Sequence, residues 1–349
     1  MFKPKSILAL ALSSTLIPTA VLADVTPGDV WTLHQDMYKA LGGTLAATTS
    51  EANGTLSVTD VSGVFALPMG LGTTTVTMGG WDYIDNGDGT VTARFPDTLD
   101  LVFALNIPGQ VDASVKMQVN SDTYDLIASG TPDDMTMTYD FPRQEGIISD
   151  FAATGPAMEH PDFAGFEDAE LTGSVIINGN RGTSRITRGD VMTITGDYLT
   201  ESLSYSFVMD GPDGTNVTMN GAGGQSNAQT KISLLPDGVS VLAIPQAFRD
   251  GFGVSLTSSA KDTVTTTIVT MDGEPFSTKE ETIASSDFNV SIDQDGARLD
   301  GVGTGYHVVT DELKLFMPVP IDVSVARGEF ALQMPFMASD TPQPFTFLM

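Results

Sequence analysis

Apolar and polar residues alternate along most of the chain after Thr44, with the period of a β-strand that has one dry and one wet face. The clearest alternating runs lie at 115–119, 135–141, 203–209, 288–292 and 330–336. Turn sequences such as Asn86-Gly87-Asp88-Gly89 separate such runs and predict hairpins. Continuous apolar runs, which mark buried parallel strands, are rare. The pattern predicts a mainly β protein whose antiparallel meanders form a sandwich, a barrel or a long curved sheet.

One N-terminal segment has the helical period instead. Thr26 suits the N-cap, Pro27 the first turn, and Asp29 lies three residues after the cap. Apolar residues then recur at helical spacing up to Leu41, and Gly42 can end the helix. This predicts an amphipathic helix that packs on the sheet. One further short helix is expected around residues 246–250.

Residues 1–23 have the three parts of a signal peptide: a basic start with Lys3 and Lys5, an apolar stretch, and Val21-Leu22-Ala23 before Asp24. The apolar stretch is too short to span a bilayer. We expect cleavage after Ala23 and a periplasmic protein with no transmembrane segment thereafter.

The remaining sequence predicts a helix plus β region at 24–151 and a second β region at 167–349. A Gly- and Pro-containing segment at 152–166 is typical of a linker between them. Phe345 to Met349 has the pattern of a strand in progress, so we expect the second region to be incomplete at its C-terminus.

The charge balance limits the classes of partner that this protein is expected to bind. The formal net charge is −28, with 16 basic and 44 acidic residues. Nucleic acid binding requires an excess of lysine and arginine, so nucleic acid is not an expected partner. An anionic membrane surface is disfavoured for the same reason. The chain has no cysteine, so neither a disulfide nor a cysteine nucleophile is available.

No sequence motif fixes a reaction. The three histidines, His34, His160 and His307, form no pair at metal-ligand spacing. A Gly-x-Ser-x-Gly elbow is absent, and the glycines around Gly303 match neither a dinucleotide fold nor a phosphate loop. We therefore expect no catalytic, cofactor-binding or metal-binding residues.

Methionine is unusually frequent, with 16 in the chain, and many lie on apolar strand faces. Because methionine is flexible and polarizable, it suits surfaces that accept ligands of varying shape, although it also fills gaps in ordinary cores. If the sheet leaves an apolar trough, the strand patterns nominate five lining residues: Met135, Met137, Tyr139, Phe207 and Met209.

Three short stretches carry a resemblance to a known family. They are Ala128-Ser129-Gly130-Thr131-Pro132, the segment 328–335 (GEFALQMP), and Ala338-Ser339-Asp340-Thr341-Pro342. From about Val25 onward the chain resembles the exported proteobacterial proteins catalogued as domain of unknown function 2125. The resemblance implies export and a β-rich fold, and it implies no activity, cofactor or catalytic residue.

The sequence leaves two functions open. The first is a non-catalytic periplasmic protein that binds an apolar or lipid ligand. The alternative is a structural or assembly partner of another envelope protein, with a closed core. An enzyme ranks third, because no nucleophile or base constellation is visible.

Overall fold

The structure is a computed structural model that describes residues 24–67, 70–122, 125–159, 170–211, 214–235, 238, 244–311, 319–334 and 346–348. The expected signal peptide at 1–23 lies outside these residues, as does the whole segment 335–345, which carries part of the family resemblance.

Strands make up most of the described residues. The helices are α1 (Pro27–Ala40) and α2 (Ile244–Arg249), with a 3-10 turn at Pro156–Glu159. The strands are β1 (Gly43–Ala52), β2 (Thr55–Ala66), β3 (Thr73–Met78), β4 (Trp81–Asp85), β5 (Val91–Arg94), β6 (Thr98–Ile107), β7 (Val111–Ser121), β8 (Asp125–Thr131), β9 (Asp134–Thr154), β10 (Glu170–Thr187), β11 (Met192–Thr200), β12 (Ser202–Asp210), β13 (Thr215–Gly223), β14 (Ser226–Leu234), β15 (Gly253–Met271), β16 (Glu274–Asp293), β17 (Gly296–Thr310), β18 (Ile321–Met334) and β19 (Thr346–Leu348).

Helix α1 begins where the sequence predicts. The Asp29 N–H donates to Thr26 Oγ1 at 3.2 Å, and the Thr26 N–H donates to Asp29 Oδ2 at 2.9 Å, which completes a capping box. Gly42 follows the helix with a φ of +82°, a conformation in which glycine has no steric penalty. The second helix is also found, at Ile244–Arg249. Among the described residues no helix has the length and apolar character needed to span a membrane.

The described strands belong to a single antiparallel sheet, which confirms the predicted mainly β class. The hairpins lie where the turn sequences predict them, for example between β4 and β5. Of the three arrangements that the sequence leaves open, one continuous curved sheet describes the structure. The two predicted β regions share this sheet through the β9–β10 ladder, and β9 runs to Thr154, inside the predicted linker.

Strand breaks and backbone irregularities lie side by side across the sheet and divide it into two halves. We call this boundary the kink line. At five positions in the sheet, two consecutive strands lie end to end and together take the place of one long strand. These pairs are β4 with β3, β5 with β6, β8 with β7, β11 with β12, and β14 with β13. Each long strand beside them pairs with both members of such a pair, as β15 does with β14 and β13. Four long strands carry one residue of positive φ at the same level: Asp60, Gly179, Asp262 and Gly305.

We call the two sides of this kink line the helix half and the open half. The helix half comprises β4, β5, β8, β11 and β14 with the adjoining parts of β2, β9, β10 and β15. The open half comprises β3, β6, β7, β12 and β13 with the other parts of the same long strands. β16 to β18 extend both halves.

The kinks change the phase of the side-chain alternation. Val58 and Val61 are three residues apart in β2, yet both are fully buried in the same core, because Asp60 lies between them as a bulge. The apolar residues of the two halves therefore point to the same side of the sheet, which we call the inner face.

Helix α1 packs against the inner face of the helix half. Its Trp31 meets the ring of Trp81 at 6.5 Å and that of Tyr83 at 6.4 Å. The core extends from Leu45 in β1 to Leu234 in β14. β2 and β14 are seven pairings apart, about 34 Å in a flat sheet, whereas a helix is about 10–12 Å wide. The helix half must therefore curl around α1.

Candidate functional site

The inner face of the open half is apolar across many strands. In β6 and β7, Phe103 lies beside Val115 and Leu101 beside Met117. In β12 and β13, Phe207 lies beside Met219 and Met209 beside Val217. This face continues the core without interruption, because Val61 in β2 pairs with Met78 in β3, which in turn pairs with Leu101.

Exposure distinguishes the two halves between β2 and β14, whereas farther along the sheet, in β18, Phe330 is 47% exposed on the inner face of the helix half. In the helix half, Tyr83 and Met135 have no exposed surface. In the open half, Phe103 is 39% exposed, Met219 38% and Leu203 36%. Helix α1 reaches the first strands of the open half through Tyr38, whose ring stacks on Phe65 at 5.1 Å. The exposure of Phe103 and Met219 shows that no described part of the chain covers them.

Aromatic rings lie flat on part of the apolar inner face of the open half, which we call the wall. Gly173 in β10 and Gly221 in β13 leave space that is filled by the rings of Phe207 and Tyr205, respectively. A side chain at either glycine would collide with the ring. The two rings are 5.6 Å apart. They form a smooth apolar surface where separate side chains would otherwise project.

The five lining residues nominated from the sequence fall into three environments. Met135 and Met137 are 0% and 6% exposed in the core of the helix half. Tyr139 stacks on Phe141 at 4.7 Å, close to the kink line. Phe207 and Met209 lie on the wall of the open half, where both are partly exposed. Alternation identifies the inner face correctly but does not show which half the helix covers.

A polar stripe crosses the inner face at β15 and β16. Thr265 pairs with Glu281 in the sheet register, and Thr267 pairs with Lys279. Lys279 Nζ lies 3.3 Å from Glu281 Oε2, and Thr265 Oγ1 lies 3.1 Å from the hydroxyl of Tyr205. The sequence pattern does not reveal this stripe, because Lys279-Glu280-Glu281 resembles any solvated charge run.

The helix half holds a titratable pair in which Tyr83 is fully buried and His34 is partly buried. His34 Nδ1 lies 2.7 Å from the hydroxyl of Tyr83. Burial lowers the pKa of His34 to about 4 and raises the pKa of Tyr83, since both charged forms lose water. The imidazole is therefore neutral near pH 7 and acts as a hydrogen-bond partner of Tyr83 beside the core. The described residues include no group of three acidic or histidine side chains placed to hold a metal ion.

The outer face has a different character. A shallow cavity of about 480 Å³ lies there, with Asp197, Gln229 and Arg181 among its lining residues. Its polar groups satisfy one another or near neighbours: Gln229 donates to Asp197 at 2.8 Å, and Arg181 pairs with Glu201 at 2.9 Å. None of its lining residues belongs to the apolar core that the inner face continues, so we place the candidate site on the uncovered inner face and not in this cavity.

Comparisons with known protein families, with curated proteins and with solved structures found no match to the chain. The resemblance to domain of unknown function 2125 remains a prediction.

Proposed function

We propose that this protein is an exported, non-catalytic envelope protein that binds an apolar ligand, such as an acyl chain, on the inner face of the open half. One observation carries the proposal: an apolar face that is continuous with the core lies uncovered among the described residues, with Phe103, Leu203 and Met219 each more than a third exposed. Leaving such surface in water costs roughly 25 cal/mol per Å².

An acyl chain would remove that cost on both partners. Each methylene that leaves water contributes about 0.8 kcal/mol. The wall offers flat aromatic rings at Tyr205 and Phe207, and flexible thioethers at Met209 and Met219. Thioether side chains adapt to differently shaped chains. The acidic surface would keep such a carrier soluble and away from anionic headgroups.

A structural or assembly role is the second candidate, and the helix half favours it. Between β2 and β14 its apolar face is covered by α1, with Tyr83, Leu33 and Met135 fully buried. If another protein covers the open half in the same way, the inner face is an interface and binds no small ligand.

The test is titration of an environment-sensitive fluorescent fatty acid into the folded protein. Met219→Asp places a charge on the wall at a residue that is 38% exposed. Val264→Asp is the matched control: Val264 is 40% exposed in the neighbouring strand β15 and faces outward, because its pairing alternates with that of Thr265.

We expect saturable binding that Met219→Asp weakens at least tenfold and Val264→Asp leaves unchanged, with both variants retaining the circular dichroism of the wild type. Absence of saturable binding, or equal loss in both variants, would favour the assembly role.

A further inference from the structure

The polar stripe on the inner face interrupts an otherwise apolar wall. On one side lie Phe207 and Met219, and the register continues from Met219 to Thr267 and Lys279. On the other side lie Val308 and Val323, which pair with each other, and Val308 pairs with Glu281. The ion pair of Lys279 and Glu281 thus lies between two apolar regions, although an exposed ion pair of this kind contributes little to stability.

From this placement we propose that the ligand is an amphipathic molecule with a zwitterionic headgroup, which the stripe of Thr265, Thr267, Lys279 and Glu281 binds while the apolar wall holds the tail. The inference rests on the proposed function and specifies its ligand class. Lys279 supplies a cation for a phosphate or carboxylate, and Glu281 supplies an anion for an ammonium group.

The charges of the site favour a zwitterion over an anion. Lys279 Nζ and Glu281 Oε2 lie 3.3 Å apart, so a cationic and an anionic group lie side by side on the inner face. A purely anionic headgroup would meet Glu281 beside its cation, in a chain with a net charge of −28. A zwitterion can satisfy both side chains, and the hydroxyl of Thr267 next to Lys279 adds a donor for an oxygen of the headgroup.

The wall leaves room for the tail. β16 and β6 are seven pairings apart, or about 34 Å along a flat sheet. Phe207 and Met219 adjoin the stripe, and Phe103 lies near the far end of this path. A tail that starts at the stripe can therefore remain on apolar surface along its length.

The test measures headgroup preference by competition. The probe is an uncharged environment-sensitive dye bound to the inner face. The competitors are short-chain phosphatidylcholine and phosphatidylglycerol with identical tails, each below its micelle concentration. We expect the zwitterionic lipid to displace the dye at a concentration at least tenfold lower than the anionic lipid.

Two double variants test whether the polar stripe causes the preference for the zwitterionic headgroup. Lys279→Met with Glu281→Met removes the ion pair from the inner face. Arg298→Met with Asp300→Met removes a comparable pair at the same two-residue spacing, 2.6 Å apart, from the outer face of the adjacent strand β17. We expect the first double variant to bind the dye and lose the tenfold preference, and the second to retain both.

The outcomes separate the two proposals. Dye binding without a preference for the zwitterion, or a preference that survives Lys279→Met with Glu281→Met, overturns the headgroup assignment and leaves apolar binding intact. Failure of the wild-type protein to bind the dye overturns both.

Discussion

Asn180 and Gln144 lie on opposite sides of the kink line, and their side chains are joined by a hydrogen bond of 2.8 Å from Nδ2 of Asn180 to Oε1 of Gln144. Asn180 also approaches the hydroxyl of Tyr139 at 3.5 Å. Strict alternation along β9 would place residues 139 and 144 on opposite faces. Their shared partner shows that the phase changes between them, so that both halves direct their apolar side chains to one face.

The kink line yields the first prediction. Asp262 has a φ of +51°, which aspartate tolerates better than a β-branched residue does. We expect Asp262→Val to lower the free energy of unfolding by about 1–2 kcal/mol and Asp262→Gly to change it by less than about 0.5 kcal/mol. Urea unfolding measures both. Thr266→Val, four residues along the same strand, is the control and should be near neutral; equal losses at 262 and 266 would contradict a conformational cost.

The second prediction concerns the closure of the helix half by α1. Leu33 is fully buried against the sheet, and Leu41, which follows the helix, is 56% exposed. We expect Leu33→Ala to cost about 2–5 kcal/mol, because it leaves a cavity in a packed core. Leu41→Ala should cost less than about 0.5 kcal/mol. If thermal or urea unfolding gives similar values for the two, α1 does not pack as described.

The sequence predicts those features of the fold that depend on residues close together in the chain, and not those that depend on contacts between distant segments. The capping box of Thr26 and Asp29 is local, so α1 is predicted almost to the residue. Alternation is also local, and it identifies Met135 and Phe207 as inner-face residues. Which half α1 covers depends on long-range packing, so the sequence could not separate buried Met135 from open Met209. The stripe at Lys279 and Glu281 does not stand out in the sequence, because Lys279-Glu280-Glu281 has the pattern of a solvated charge run and its apolar neighbours come from other strands.

The third prediction is a pH dependence from His34. Its pKa is about 4 in the folded protein and 6.5 when unperturbed, so the unfolded chain binds more protons between these values. Stability contributed by the neutral imidazole is therefore complete above pH 6.5 and declines as the pH falls toward 4. Between pH 6.5 and pH 4 we expect the free energy of unfolding to fall by about 1–3 kcal/mol less in His34→Gln than in the wild type.

The measurement is urea unfolding of wild type and His34→Gln at several pH values from 8 to 4. The difference at pH 8 gives the constant cost of replacing the ring. A difference between the two proteins that does not change with pH would show that His34 is not held neutral by burial.

The fourth prediction tests export. If residues 1–23 are a signal peptide, the intact mass of protein from the periplasm should correspond to a chain that begins at Asp24. Lys3→Glu with Lys5→Glu should slow export, because the basic start orients the segment in the membrane. Periplasmic protein that retains Met1 would contradict cleavage.

The last prediction uses methionine oxidation to map the binding surface. Peroxide oxidises accessible thioethers fastest, so in the folded protein Met219, which is 38% exposed, should react well before Met135, which has no exposed surface. A saturating acyl ligand on the open half should slow oxidation of Met219 several-fold and leave Met135 as slow as before. Peptide mass spectrometry gives both rates, and protein unfolded in urea, where the two should react alike, gives the reference. Rapid oxidation of Met135 in the folded protein would show that α1 does not close the helix half. Unchanged oxidation of Met219 with bound ligand would show that the ligand lies elsewhere.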